Sequence, residues 1–242
     1  MNPDLRIAHL YPDLLRTYGD RGNLLALSRR SEWRGFSVAI EPVSRGDPMA
    51  VRPDIVLVGG GTDRVQEAIG ADLLSRQAAL ADAVGDGTVI LGICGGYQLL
   101  GHSYVDGEGR EIPGLGLLDA ETTARSPRII GRVRARATVW GHAFELFGFE
   151  NHGGRTVLGP AAEALATVPR KQGNNGDDGT EGAVQGSILG TYLHGPVLPA
   201  NPELADAILE RALARVTGGG PLQPLDDSAE HEAHELARRL KR

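Results

Sequence analysis

The stretch Thr88-Val-Ile-Leu-Gly-Ile-Cys-Gly-Gly-Tyr-Gln98 joins an apolar, β-branched run to residues that are compatible with a helix. At the junction lies Cys94, the single cysteine of the chain, inside a Gly92-x-Cys94-x-Gly96 frame. A sharp turn from strand to helix holds a nucleophile up into a site, and glycine fits there because backbone passes close by. The stretch therefore predicts a nucleophile elbow with Cys94 at its tip.

Apolar runs alternate with helix-compatible segments on the N-terminal side of this elbow. Strands are predicted at Arg6-Ile-Ala-His-Leu10, at Phe36-Ser-Val-Ala-Ile40 and at Asp54-Ile-Val-Leu-Val58, and helices over residues 24–34 and from the Gly59-Gly60-Gly61 loop to about Ala83. Strands that alternate with helices form mostly parallel sheets with right-handed crossovers. The predicted fold class is α/β, a doubly wound parallel sheet with flanking helices whose site lies at the carboxyl ends of the strands.

The pattern changes to short strand-like pieces beyond Ile112. Apolar and polar positions alternate most clearly over Ile129–Val139, which predicts an antiparallel flank. Residues 171–182 are dense in Gly, Asn and Asp, which predicts an exposed loop. An apolar strand is then predicted over residues 187–193, and it ends at His194.

The C-terminal quarter predicts a covering helix and an appendage. Asn201 and Pro202 are typical of a helix start, and Gly218 stands just past the end. We assign residues 1–217 to one domain and residues 218–242 to a linker and a C-terminal helix. The apolar stripe of that helix consists of Ala229, Ala233, Leu236 and Leu240. Docking on its own domain and contact with a partner are the two interpretations of this stripe.

Composition excludes several classes of protein. The 242 residues carry a formal net charge of −6 with dispersed Lys and Arg, which argues against a nucleic-acid-binding surface. No apolar stretch approaches the roughly 20 residues that a spanning helix needs, and the first residues lack the apolar core of a signal peptide. A single cysteine excludes an intrachain disulfide. We therefore expect a cytoplasmic protein whose thiol stays reduced.

A cysteine nucleophile needs a base and a place for negative charge. A thiol at a helix N-terminus is favoured as thiolate, although a lone cysteine is often only a small buried hydrophobe. Of the seven histidines, His194 is the best placed because it ends a strand at the sheet edge, and His152 is the second choice. The backbone N–H groups of Gly60 and Gly95 are candidates for an oxyanion hole, whereas a simple tight turn is the alternative for the three glycines.

Several further motifs follow one another along the chain. They are Tyr11-Pro-Asp-Leu-Leu15, Tyr18-Gly-Asp-Arg-Gly-Asn23, Gly59-Gly-Gly-Thr-Asp63, Glu150-Asn-His-Gly-Gly154, Gly173-Asn-Asn-Gly176 and Gly190-Thr-Tyr-Leu-His-Gly-Pro196. With the elbow, they resemble the class I, triad-type glutamine amidotransferases of the cobyric-acid-synthase-like branch. Within that branch, the chain is similar to the glutaminase subunits of lipid II isoglutaminyl synthases. The resemblance runs from about residue 6 to residue 216.

The resemblance implies a chemistry for these residues. Cys94 attacks the side-chain amide of L-glutamine, His194 acts as acid and then as base, and Arg128 binds the carboxylate of the substrate. A solvated charge at a strand start is the alternative for Arg128. The ordinary triad has a glutamate two residues after the histidine, where this chain has Pro196. Glu203 and Asp20 are weak internal substitutes, so the resemblance implies that a partner supplies this acid.

The resemblance also implies partners. The chain shows no nucleotide-binding motif, so ATP is expected on a Mur-ligase-like synthetase subunit that uses the ammonia to amidate D-glutamate of lipid II. No cofactor and no metal are expected in this chain. The alternatives are a glutaminase subunit for another ATP-dependent synthetase of the cobyric-acid type, a cysteine hydrolase or peptidase of the same fold, and a regulatory subunit without catalysis.

Overall fold

The computed structural model of the protein describes residues 3–15, 20–49 and 52–239. Its elements, in chain order, are β1 (Leu5–Leu10), α1 (Arg21–Glu32), β2 (Val38–Val43), β3 (Ile55–Val58), α2 (Asp63–Ser75), α3 (Gln77–Gly85), β4 (Val89–Ile93), α4 (Gly95–Leu100), β5 (Ser103–Val105), β6 (Glu111–Pro113), β7 (Ala120–Val139), β8 (His142–Leu158), β9 (Ala166–Thr167), β10 (Thr180–Glu181), β11 (Ala183–Gln185), β12 (Ile188–Thr191), α5 (Pro202–Ala212), α6 (Ala214–Thr217) and α7 (Ser228–Arg239).

The first sheet has six strands in the order β11-β12-β4-β3-β1-β2. All neighbours are parallel except β11, which pairs antiparallel with β12 at one edge. Every residue of β3 and β4 is buried, as continuous apolar runs require when both faces are covered. Helices α1 and α5 pack on one face and α2 and α3 on the other, so the predicted doubly wound α/β sheet is confirmed.

Most predicted boundaries in this sheet shift by a few residues. The second strand is Val38–Val43 rather than 36–40, and the single helix predicted up to Ala83 is two helices, α2 and α3. They meet at Arg76, whose side chain turns inward and donates to the Tyr11 hydroxyl and to Asp72. A buried polar contact therefore ends the helix at a place where apolar periodicity carries no signal.

The second sheet is built on the long hairpin of β7 and β8. Its strands run in the order β10-β9-β7-β5-β6, with β8 paired to β7. The alternation of buried and exposed residues along β7 matches the alternation in sequence, so the predicted antiparallel flank is confirmed. The register of the hairpin shifts between Ala124 and Ile129, and this irregularity carries Arg128.

The exposed loop predicted over residues 171–182 is wrong at residues 173, 174, 176, 181 and 182, which are buried, and correct at residues 177 and 178, which are exposed. Asn174 and Glu181 are fully buried, and Gly173 donates its N–H to the buried Glu150 carboxylate at 2.8 Å. Asn174 also donates to the Gly182 carbonyl at 2.9 Å. Turn-forming residues predicted the irregular backbone correctly, but the segment folds inward because its polar groups find buried partners.

The C-terminal segment docks on the domain through residues other than the predicted stripe. The ring of His234 in α7 stacks on Phe147 with 4.2 Å between centroids. Ala229 and Ala233 are exposed and Leu236 is 54% exposed, while Leu240 lies outside the described residues. Asn201 stands at the start of α5 as predicted, but its side chain bonds Phe147 and Val197 rather than capping the helix.

A buried arginine ties this segment to the sheet. Arg30 of α1 donates to both oxygens of Asp206 in α5 and to both oxygens of Asp227, at 2.6–2.9 Å. We expect Arg30→Ala to lower the free energy of unfolding by about 3 kcal/mol, because it leaves the partly buried Asp227 carboxylate without its cation and Asp206 with Arg34 alone. Urea denaturation measures this. The control is Arg29→Ala, whose exposed pair with Glu32 should contribute less than about 0.5 kcal/mol, and equal losses would contradict the assignment.

Candidate active site

The elbow predicted from residues 88–98 is present at the end of β4. Cys94 has φ +50° and ψ −103°, a conformation that costs energy for a residue with a Cβ and that is frequent at functional sites. Its N–H donates to the Thr191 carbonyl at 2.8 Å, and its carbonyl accepts the first helical bond from Gln98 at 3.0 Å. A Cβ on Gly96 would lie 2.2 Å from the Val58 carbonyl oxygen, so only glycine lets β3 approach the elbow.

The cavity at the elbow has a volume of about 540 Å³. It lies beyond the carboxyl ends of the parallel strands, where a doubly wound sheet places its site. Cys94 lines this cavity together with Gly61, Asp63, Arg128 and His152. The structure thus brings a thiol, a carboxylate, a guanidinium and an imidazole to one place.

Arg128 enters the cavity from the irregular part of β7. Its Nε donates to Asn151 Oδ1 at 2.8 Å and its Nη2 to the Asn151 carbonyl at 2.6 Å. These two bonds fix the plane of the guanidinium, and the Arg128 charge partly opposes the rise that burial causes in the pKa of the Cys94 thiol. A cation held in this way suits a carboxylate ligand in the same cavity as the thiol.

Asp63 supplies the opposite charge. It is the first residue of α2, directly after the glycine loop, and its Oδ1 accepts a hydrogen bond from the Tyr104 hydroxyl at 2.9 Å. Asp63 ends the Gly59-Gly-Gly-Thr-Asp63 motif, whose sequence predicts no role for this carboxylate. Its position after the third strand was the available signal, because that strand ends at the same edge as the elbow.

Two histidines belong to this edge of the sheet. His194 follows β12, whose residue Thr191 pairs with Ile93 directly before the elbow, and its backbone forms a bridge with Phe149 of β8. His152 lines the cavity, donates from Nδ1 to the Gly154 carbonyl at 2.9 Å and stacks on Tyr192 at 3.7 Å. Both are 1% exposed.

The thiol and the His194 imidazole are both neutral near pH 7. Burial is the main cause that raises the pKa of Cys94 to about 12, helped by the negative charge of Asp20 and opposed by the Gly95 N–H. Burial, followed by the charge of His152, lowers the pKa of His194 to about 4. The resting site therefore holds a thiol and an imidazole, and a thiolate–imidazolium pair needs further stabilisation.

The predicted oxyanion donors differ in their surroundings. Gly95 directly follows Cys94 in the elbow, and its N–H partly opposes the rise in the thiol pKa that burial causes. Gly60 N–H instead donates to Asp20 Oδ2 at 2.5 Å, and Gly61 rather than Gly60 lines the cavity. Of the two predicted donors, the structure places one beside the thiol and gives the other to a buried carboxylate.

The two internal substitutes for the missing triad acid are engaged elsewhere. Asp20 accepts the Gly60 N–H, and Glu203 Oε1 lies 2.9 Å from Nε2 of His231 in α7. Pro196 occupies the position where the ordinary triad has its glutamate. Neither substitute therefore has the contacts of an acid that orients His194.

Two features are not found in the described part of the chain. Within residues 3–15, 20–49 and 52–239 there is no group of three or more His, Cys, Asp or Glu side chains that is arranged for a metal ion. In the same part of the chain, no helix is both long and apolar enough to cross a membrane.

Comparisons with known proteins show the family of the chain and agree with its fold. Residues 6–202 match the CobB/CobQ-like glutamine amidotransferase domain. The chain is 38% identical over 236 residues to the lipid II isoglutaminyl synthase (glutamine-hydrolyzing) subunit GatD of Staphylococcus aureus, covering 96% of this chain and 94% of that protein. It is 37% identical to the GatD subunit of Streptococcus pneumoniae, over 88% of this chain and 82% of that protein.

More distant relatives share the domain or only the fold. A cobyric acid synthase of Pelotomaculum thermopropionicum is 36% identical over 71% of this chain, which covers 36% of that protein. PurLQS from Thermotoga maritima superposes with a TM-score of 0.59 at 16% identity, over 90% of this chain and all of the matched one. The glutaminase domain of Trypanosoma brucei CTPS superposes with a TM-score of 0.54 at 13% identity, over 87% and 94% of the two chains. The chain therefore belongs to the CobB/CobQ-like glutamine amidotransferases.

Proposed function

We propose that the chain is the glutaminase subunit of a lipid II isoglutaminyl synthase. The observation that carries the proposal is the cavity in which the Cys94 elbow meets Arg128 and Asp63. The choice of pathway is supported by the two GatD subunits, because the similarity spans 94% and 82% of their lengths. The cobyric acid synthase, in contrast, has most of its length outside the matched region.

The cavity suits the two charged ends of an α-amino acid. In this proposal Arg128 binds the α-carboxylate of L-glutamine, and Asp63 binds its α-ammonium group. Tyr104 and Asn151 hold the carboxylate and the guanidinium in place by the bonds described above. With both ends bound, the side-chain amide is left to reach the thiol.

The proposed reaction has two halves. The Cys94 sulfur adds to the amide carbon as the thiol proton passes to His194, and backbone N–H groups stabilise the tetrahedral oxyanion. His194 then gives this proton to the departing nitrogen, so that ammonia leaves and a thioester forms. A water molecule deprotonated by His194 attacks the thioester, and glutamate leaves as the thiol is restored.

Ammonia made in this way needs an acceptor. We propose that it passes to a Mur-ligase-like synthetase subunit, which activates the D-glutamate carboxyl of lipid II with ATP and forms the amide. Supporting this, the chain carries no nucleotide-binding motif of its own, and its nucleophile is a free thiol, which suits the reducing cytoplasm.

The test is to purify the tagged chain from its own host and identify the proteins that co-purify. The complex is then assayed for ATP-dependent amidation of lipid II with L-glutamine as nitrogen donor. We expect a Mur-ligase-like protein and amidated lipid II. Recovery of a synthetase of the cobyric-acid type without lipid II amidation would favour that alternative, and preference for a peptide over free glutamine would favour a peptidase.

Substrate analogues test the two charged contacts separately. Arg128→Ala should raise KM for L-glutamine by about 10- to 100-fold, since a charge-assisted hydrogen bond contributes about 1.5–3 kcal/mol. Asp63→Asn should raise KM for L-glutamine by a similar factor, but leave KM unchanged for glutaramate, which lacks the α-amino group. If Asp63→Asn weakens both substrates equally, Asp63 does not contact the ammonium group.

A further inference from the structure

Asp20 is a buried carboxylate that the reaction above does not use. It directly precedes α1, is 1% exposed, and accepts the Gly60 N–H through Oδ2. Its other oxygen, Oδ1, is buried and accepts no hydrogen bond within the described chain. A carboxylate is costly to bury with so few donors, so its single contact with the glycine loop needs an explanation.

The Gly59-Gly60-Gly61 loop packs closely against the elbow. Gly96 donates its N–H to the Gly59 carbonyl at 3.1 Å. A Cβ on Gly59 would lie 2.3 Å from the Leu15 carbonyl oxygen, and a Cβ on Gly95 would lie 2.8 Å from the Gly61 carbonyl oxygen. The loop has little room to shift sideways, but glycine backbone still allows its peptide planes to rotate.

Asp20 restricts the rotation of the peptide plane at Gly60, because its carboxylate accepts the Gly60 N–H. With Gly60 N–H directed to the carboxylate, the next amide of the loop is the one nearest the elbow, since Gly61 N lies 2.9 Å from the place of a Cβ on Gly95. Gly61 also lines the cavity with Cys94. A preorganised donor beside the place where charge develops is what an oxyanion hole requires.

We propose that Asp20 is a positioning residue which orients the glycine loop, so that Gly61 N–H, together with Gly95 N–H, binds the oxyanion. This deepens the proposed glutaminase function and rests on it. The oxyanion donor is thereby Gly61 rather than Gly60, whose N–H holds the loop in place.

The test compares Asp20→Ala with Asp20→Asn in the complex with the synthetase subunit. Asp20→Ala should lower kcat for glutamine hydrolysis by about 100-fold while KM stays within about threefold, as expected for loss of one oxyanion donor. Asp20→Asn should retain most of the activity, because its amide oxygen still accepts the Gly60 N–H. Asp13→Ala, an exposed acid nearby, is the matched control.

Alkylation of Cys94 by iodoacetamide separates positioning from misfolding, since this reaction forms no oxyanion. Both Asp20 variants should be alkylated at least as fast as wild type, because a negative charge near the thiol is removed. Three outcomes would each overturn the inference. They are faster hydrolysis by Asp20→Ala, equal losses of hydrolysis in both variants, and loss of alkylation together with hydrolysis. A wild-type complex that hydrolyses no glutamine overturns the proposed function as well, whereas full activity of Asp20→Ala overturns only the role of Asp20.

Discussion

Replacing Cys94 or His194 by alanine should lower glutamate release from glutamine by at least about 10⁴-fold, because members of a nucleophile–base pair act as a unit. Cys94 stands on a strained turn at the carboxyl edge of the parallel sheet, and His194 follows the adjacent strand at the same edge. Alanine at either position removes the group that forms the thioester or the group that moves the proton. The measurement is glutamate release by the purified complex.

This prediction has two controls, a histidine that lies outside the cavity and a check that the variants fold. His102→Ala should keep full activity, since its ring is exposed and pairs with Asp119 away from the cavity. Circular dichroism should show the same fold for all variants. Undiminished glutamate release by both Cys94→Ala and His194→Ala would remove the proposed mechanism. Loss in Cys94→Ala and His152→Ala, but not in His194→Ala, would instead make His152 the base.

The elbow and its sheet were predictable because their signals are local. A buried parallel strand needs a continuous apolar run, and a turn of this tightness needs glycines beside the nucleophile. Residues 88–98 show both features, and the structure has β4, a positive φ at Cys94 and α4 in that order. The alternation along β7 predicted its hairpin for the same reason, since one face is buried and the other exposed.

The errors arose where long-range polar contacts decide the structure. Residues 171–182 read as an exposed loop, yet Asn174 and Glu181 are buried, Gly173 donates to Glu150 of β8 and Glu181 accepts from Thr191 of β12. The stripe of the C-terminal helix left docking on its own domain and contact with a partner open, and the structure adds a contact outside the stripe, between His234 and Phe147. Composition identifies turn formers and apolar stripes, but it does not show which buried partner a polar side chain will find.

The candidate site likewise contains residues that the sequence predicted and residues that it did not predict. The elbow motif pointed to Cys94 and the family resemblance to Arg128, and the structure places both in one cavity. Asp63 lay in a quoted motif without a role, because one carboxylate after a glycine loop has no distinctive spacing. The engagement of Gly60 by Asp20 was not foreseeable, since it joins residues 40 positions apart through a buried hydrogen bond.

Binding of the synthetase subunit should raise glutaminase kcat/KM by about 10³- to 10⁴-fold, the effect expected when a carboxylate fixes the tautomer and orientation of a catalytic histidine. Pro196 stands where the ordinary triad has its acid, Asp20 holds Gly60, and Glu203 holds His231. In the proposed function, the acid that orients His194 is therefore supplied by the partner. The comparison is between the chain alone and the purified complex at equal concentration.

The pH dependence of glutamine hydrolysis should also differ between the chain alone and the complex. In the chain alone, burial raises the pKa of Cys94 to about 12 and lowers that of His194 to about 4, so both groups keep the neutral forms that the reaction starts from and activity should be flat between about pH 5 and pH 9. A partner carboxylate beside His194 raises the imidazole pKa, and the imidazolium in turn lowers the thiol pKa. The profile of the complex should therefore reach its plateau nearer neutral pH. Glu203→Gln should leave the rate of the chain alone unchanged, and equal rates and profiles for the chain and the complex would show that the site is complete without the partner.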